Sequence, residues 1–168
     1  MYLPSLNARL LVLYHEEKNQ HIKDHKGGSV DDKELVRLLK HAPLFSRLGA
    51  EGLGEVLAIA RQKKFSAGTK IVAQGSTGVG FYLVLTGSAQ VSRGGERIAE
   101  LGAGTFFGEM CILDGAPRSA DVIAVEDTTC LILRQWDIRS VISRNPDVAM
   151  AMLEELSRRL RKTEHSLS

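Results

Sequence analysis

KIVAQGSTGVGFYLVLTGSAQVSRGGERIAEL, residues 70–101, decides the fold. Four short β-rich runs, KIVAQ, FYLVLTG, AQVSR and RIAEL, are separated by glycines at positions 75, 78, 80, 87, 94 and 95. Short strands punctuated by turn residues indicate an antiparallel barrel or a double-sheet jelly roll. Gly94-Gly95, between AQVSR and ERIAEL, has the composition of a tight hairpin turn. The texture continues through ADVIAV and TCLILR to Arg134, with further glycines at 68, 102, 104 and 108. The expected class is α+β: an antiparallel β jelly-roll barrel (a double-stranded β-helix) over residues 63–134, flanked by N-terminal and C-terminal helices.

Outward from the strands the periodicity turns helical. In the helical segment 31–62, Ser29 or Asp31 supplies a cap for a helix carrying Leu35, Leu38 and Leu39, and Pro43 ends it. A second helix is expected from about 50 to 62, with Leu53, Val56, Leu57 and Ala60 on one face. Further upstream, Leu3, Leu6, Leu10, Leu13 and Tyr14 recur at helical spacing before the polar run HEEKNQHIKDHKGG. Residues 1–28 thus read as an amphipathic helix and linker whose apolar face needs a partner. Downstream, residues 135–165 contain a short helix over 135–143 and a longer one opened by Asn145-Pro146. Ala149, Leu153, Leu156 and Leu160 form a stripe on the longer helix, which serves either as a homodimer seam or as a face docked on the barrel. Glu154 and Glu155 precede Arg158 and Arg159 by four residues, the favourable orientation for helix ion pairs.

Composition excludes several classes. The chain has 168 residues, 43% hydrophobic and 25% charged, which suits a soluble domain with a real core. A net charge of +2 is too mild to imply nucleic-acid binding, and the cluster Arg158, Arg159, Arg161 and Lys162 reads as a solvated helix face. Two cysteines, Cys111 and Cys130, cannot build a disulfide framework and read as buried thiols. No apolar run approaches the ~18 residues of a membrane span. With no signal-peptide pattern at the N-terminus, the expected compartment is the cytoplasm. The histidines, at 15, 21, 25, 41 and 165, fall outside the barrel, which argues against metal-dependent barrel chemistry. His21 and His25 read as a solvated pair rather than metal ligands. No glycine-rich loop ending in Lys-Ser/Thr is present, so no P-loop hydrolysis is expected.

The chemistry concentrates in FGEMCILDGAPRSADV, residues 107–122. Gly108 allows a sharp turn and close approach of a ligand. Glu109, opening a short helix, can accept hydrogen bonds from a ribose hydroxyl, and the amides that follow can donate to an anion. Met110, Ile112 and Leu113 are expected to anchor that helix to the barrel. Pro117 stiffens the approach to Arg118, whose planar fork matches two phosphate oxygens, and Ser119 adds a hydroxyl. The structural alternative is an internal Glu109–Arg118 salt bridge that merely holds the loop.

At these residues the chain resembles the cyclic nucleotide-binding domain family, whose phosphate-binding cassette reads roughly FGE-x-(A/S/C)-L-x4-PR-(S/A/T)-A-x-V. The upstream AGTKIVAQGSTGVGFYLVLTGSAQV resembles the family's early strands. The resemblance implies that Glu109 binds the ribose 2′-hydroxyl. It gives Arg118 the cyclic phosphate, helped by Ser119 and by backbone groups from Phe107 and Gly108 through Met110, Cys111 and Ala120. Ser119 rather than Thr leans toward cyclic AMP over cyclic GMP. SRRLRKT, residues 157–163, resembles the central helix of catabolite-activator-type regulators, where a Thr equivalent to Thr163 contacts the adenine. Two positions depart from the pattern. Asp121 replaces a neutral or aromatic residue and brings a second anion toward the phosphate, and Gly80 replaces a common acidic residue. The implied function is a non-catalytic cyclic AMP receptor without cofactor, signalling through its C-terminal helices to an unidentified effector. The alternatives are the sensor part of a catabolite-activator-like transcription factor lacking its helix-turn-helix, or a scaffold that has lost ligand binding.

Overall fold

The computed structural model describes residues 30–78 and 80–166. The helix and linker expected over 1–28, with His21 and His25, lie outside the described residues. The elements run α1 Asp32–His41, α2 Ala50–Ile59, β1 Arg61–Phe65, β2 Lys70–Val72, β3 Gly80–Thr86, β4 Ala89–Arg93 and β5 Glu96–Leu101. They continue with β6 Phe106–Phe107, α3 Glu109–Asp114, β7 Asp121–Ala124, β8 Thr128–Arg134, α4 Gln135–Arg144 and α5 Pro146–Ser166.

Two four-stranded antiparallel sheets form a jelly-roll-like sandwich, in the orders β1-β8-β3-β6 and β2-β7-β4-β5. The expected Gly94-Gly95 turn is present. Both glycines have positive φ, +59° and +87°, and Arg93 pairs with Glu96 across them. Strand alternation divides the interior in two. Phe65, Val84, Phe107 and Cys130 face the second sheet and meet Val72, Ala89, Leu101, Val122 and Ala124. From the opposite face of the first sheet, Phe81, Leu83, Leu85, Phe106, Leu131 and Leu133 meet the helices. Their helical partners include Leu35, Leu39, Val56, Ile138, Val141, Val148 and Met152. Burial between the sheets pushes the Cys130 thiol up to about 12, so it stays protonated at neutral pH.

The helix ends follow local chemistry. Asp31, not Ser29, caps α1 by accepting from the Glu34 amide at 2.9 Å. The second helix stops at Ile59, so Gln62 belongs to a strand rather than to the helix expected over 50–62. Ala60 turns extended and is buried, and the charged run that follows forms the sheet edge β1. Charges on an edge strand are common, which is why RQKK carries no strand signal of its own.

The expected stripe on α5 splits. Leu156 packs against the core, whereas Leu153 and Leu160, with Met150, are exposed. Glu155 pairs with both Arg158 and Arg159, while Glu154 reaches across to Arg47 at 3.2 Å instead of pairing with Arg158. One face of α5 is therefore docked, and a second apolar face is open.

Phe81 has no exposed surface and stacks on Phe106 with ring centroids 5.5 Å apart. Phe81→Ala is expected to cost about 3–5 kcal/mol. Urea unfolding should show this as a lower midpoint at unchanged slope, and a loss under 1 kcal/mol would contradict the packing described.

Candidate functional site

Residues 107–122 fold into the end of β6, the six-residue helix α3 and the start of β7. Gly108 joins the first two with φ +83°, a left-handed conformation that side chains rarely adopt. A Cβ there would also lie 2.5 Å from the Arg118 guanidinium and 2.8 Å from the Gly80 carbonyl. At Gly78 a Cβ would lie 2.7 Å from Arg118 Nε. Side chains are thus excluded on two sides of Arg118, and backbone approaches it directly.

Arg118 is 6% exposed. It donates to the Gly108 carbonyl at 3.0 Å and to the Gly80 carbonyl at 2.7 Å. Its guanidinium carbon lies 5.9 Å from the centroid of the Tyr82 ring, which stacks in parallel on Phe107 at 4.8 Å. Its backbone is clamped as well: the Arg118 amide donates to the Ser76 carbonyl, and the Arg118 carbonyl accepts from the Gly75 amide. Among the described residues no carboxylate forms an ion pair with Arg118. The structural alternative required Glu109 as its partner, and that bridge is absent.

Glu109 is buried beside α3 and pairs instead with Arg159 of α5, at 3.3 Å. Arg159 also donates to the Phe106 carbonyl at 2.6 Å and lies 4.7 Å from the Phe106 ring centroid. The two adjacent phenylalanines of β6 thus point to opposite faces, Phe107 toward the Arg118 column and Phe106 beneath Arg159. Burial pushes the Glu109 carboxyl above its ordinary value, and the Arg159 charge only partly offsets this.

The other expected site residues surround this pair. The Cys111 thiol donates to the Gly78 carbonyl at 3.1 Å, bridging α3 to the loop before β3. Ala120 is buried, and Ser119 is exposed with its hydroxyl directed to the Met110 sulfur at 3.6 Å. Of the expected anchors of α3 only Ile112 is buried, since Met110 and Leu113 are each about half exposed. A helix of this length presents one face to the sheet and leaves the other in solvent. Thr163 lies one turn beyond Arg159 on α5, exposed, and donates to the Arg159 carbonyl at 3.0 Å.

Sequence reading missed several participants. Arg159 was assigned to a solvated face, but it is only 31% exposed and reaches Glu109. Its four-residue spacing from Glu155 fits a surface pair equally well, so only the docking of α5 reveals the second role. Gly78 and Tyr82 frame Arg118 from the loop and strand upstream. Arg139 and Gln135 of α4 converge on the Ile112 carbonyl of α3, with donor distances of 2.6, 3.2 and 3.2 Å. That contact ties the cassette to the first C-terminal helix. The Asp121 carboxylate is already engaged by Lys70 and the Gln74 amide, so it does not stand as a bare second anion.

The architecture is a jelly-roll-like sandwich with two glycines against a buried arginine and C-terminal helices packed on the neighbouring segment. The sequence profile of the cyclic nucleotide-binding domain matches residues 62–145, and the chain belongs to that family. It is 39% identical over 134 residues to the cyclic AMP receptor protein of Thermus thermophilus, covering 77% of this chain and 62% of that protein. To a cyclic nucleotide-gated potassium channel of Rhizobium etli it is 34% identical, covering 67% of this chain and 32% of the channel. The crystal structure of the T. thermophilus catabolite activator protein superposes with TM-score 0.67 at 37% identity, over 74% of this chain and 61% of that one. The chain therefore spans under two thirds of these relatives' length. No helix among the described residues is long and apolar enough to cross a membrane.

The raised Glu109 pKa sets a sign for stability. A carboxyl whose folded pKa exceeds its unfolded value favours folding below the unfolded pKa, and that contribution is lost as pH rises through the folded value. Raising the pH thus removes a stabilising contribution that Glu109 makes at low pH. Ligand-free Glu109→Gln is therefore expected to melt no lower than wild type at pH 7. The difference should shrink as pH falls toward the ordinary glutamate range. Thermal unfolding at pH 7 and pH 5 checks this, and a large loss at pH 7 would mean that the Arg159 pair outweighs the burial cost.

Proposed function

We propose that the chain is a non-catalytic cytoplasmic receptor module for a cyclic nucleotide, with cyclic AMP the preferred ligand. One observation carries the reading. Arg118 is a buried cation held by two carbonyl dipoles and, among the described residues, by no carboxylate ion pair, in a cradle kept open by glycines. An isolated buried charge is costly unless an anion receives it, and a phosphate is the anion that a planar guanidinium fork fits. Glu109 supplies acceptors for a ribose hydroxyl on the same segment. Ser119 at the cassette, Thr163 on α5 and similarity to a protein named a cyclic AMP receptor support adenine over guanine.

Signalling follows from what α4 and α5 touch. Arg139 and Gln135 hold the late part of α3, and Arg159 holds Glu109 and the Phe106 carbonyl. A ligand that engages Glu109 and Arg118 changes what Arg159 and α3 contact, and α4 with α5 shifts in response. This is a population shift driven by differential contacts, not chemistry on the ligand. Met150, Leu153 and Leu160 leave an apolar face on α5 for a second copy of the chain.

Cyclic AMP is expected to raise the melting temperature by preferential binding to the folded state. Calorimetry with cyclic AMP, cyclic GMP and linear AMP tests this, and no heat or thermal shift with any of them would sink the receptor reading. Arg118→Ala should weaken cyclic AMP roughly 10- to 150-fold, the equivalent of a charge-assisted contact of ~1.5–3 kcal/mol. For the α5 face, sedimentation at micromolar concentration should give a dimer that Leu153→Glu dissociates. A wild-type monomer with and without ligand would remove the second copy.

A further inference from the structure

Asp121 is the departure from the cassette pattern that most resembles damage, because it sets a carboxylate two residues after Ser119. Its contacts give it a different task. One oxygen accepts from the Gln74 amide at 2.7 Å, and the other pairs with Lys70 at 2.9 Å. Both contacts lower the carboxyl's pKa from its ordinary value, the Gln74 amide first and Lys70 next. Gln74 is the second residue of a turn over 73–76, in which Ser76 donates to the Ala73 carbonyl through both its amide and its hydroxyl. The third residue, Gly75, has φ +77°, the position at which a type II turn favours glycine. The last two residues of this turn make the backbone clamp on Arg118, from the Gly75 amide and to the Ser76 carbonyl. Two residues further on, Gly78 borders the guanidinium itself.

The same turn also fixes the neighbouring hairpin. The Gln74 side chain accepts from the Gly94 amide at 3.0 Å, and Arg93 Nε donates to the Ser119 carbonyl at 3.2 Å. The β4–β5 hairpin tip is thereby tied both to the turn and to the residue following Arg118. Asp121 itself holds the Gln74 amide, and the turn that contains Gln74 makes the contacts to Arg118 and to Gly94.

We propose that Asp121 is a positioning residue for ligand binding: it fixes the turn over residues 73–76 that clamps Arg118, while Lys70 neutralises its charge. The inference rests on the receptor reading above, and it makes the opposite forecast from simple repulsion. If Asp121 acted as a stray anion beside the phosphate, removing it would tighten binding. If it positions the turn, removal loosens Arg118 and weakens binding, because a misplaced clamp forfeits the oriented contact.

The test uses the full chain with cyclic AMP in calorimetry and, without ligand, amide hydrogen exchange. Asp121→Ala should bind about tenfold more weakly than wild type, since a carboxylate acceptor to a backbone amide is lost. Asp121→Asn keeps an oxygen acceptor for the Gln74 amide and should restore affinity to within about threefold of wild type. Lys70→Met uncovers the charge but keeps the Gln74 contact, so it should weaken binding less than Asp121→Ala; an equal or larger loss would overturn the positioning role. Ligand-free Asp121→Ala should also exchange the Gly75 and Arg118 amides faster at unchanged global stability. Equal or tighter binding by Asp121→Ala overturns the inference, as does failure of Asp121→Asn to recover. Should wild type bind no cyclic nucleotide, the receptor reading fails by itself. Exchange then decides the positioning role, and unchanged protection of Gly75 and Arg118 in Asp121→Ala would end it.

Discussion

A guanidinium withdrawn from water costs several kcal/mol unless acceptors and counter-charge receive it, and the arrangement around Arg118 depends on that constraint. Among the described residues, two carbonyls and an aromatic face receive the charge, and no carboxylate pairs with it. To bring carbonyls that close, the flanking chain must lack side chains, and Gly78 and Gly108 meet that demand. To bring an aromatic face there, β3 must pair with β6 so that Tyr82 stacks on Phe107. To hold the arginine backbone, the turn over 73–76 must present an amide and a carbonyl in register. The sandwich supplies all three, which is why the cassette works as part of this fold and not as a free loop.

The C-terminal helices close the same site by arginine-to-carbonyl contacts. Arg159 takes the Phe106 carbonyl just before α3, and Arg139 takes the Ile112 carbonyl within it. The cassette helix is gripped on both sides by α4 and α5, so movement of α3 cannot leave them unaffected. On the proposed reading no long pathway is needed, because the cassette and both C-terminal helices touch directly.

Much of this was legible in the sequence because it depends on residue types with few substitutes. A left-handed residue before α3 calls for glycine, a buried phosphate fork calls for arginine, and the Gly94-Gly95 turn announces its hairpin. What was not legible depends on neighbours brought in from afar. Strand β1 is charged along its length and is defined by pairing with β8, about seventy positions later. Arg159 and Arg158 are indistinguishable in sequence, and only the rotation of α5 on the core sends one to Glu109 and the other to the surface. Asp121 reads as an intruding charge until Lys70 and Gln74 are seen beside it. The stripe on α5 reads as one face because periodicity alone does not separate docked positions from neighbouring exposed ones.

The site also explains why a molecule with two kinds of group fits it better than either group alone. Among the described residues Arg118 forms no ion pair with a carboxylate, and burial raises the Glu109 pKa despite the Arg159 charge. Inorganic phosphate would answer the first without bringing a ribose hydroxyl to the second. A nucleoside would offer hydroxyls to Glu109 and leave Arg118 unmatched. A cyclic nucleotide presents an anion and a ribose hydroxyl on one rigid frame, so a single ordering cost is set against two favourable contacts. On the proposed reading the hydroxyl enters where Arg159 already reaches Glu109, so recognition and response share one carboxylate.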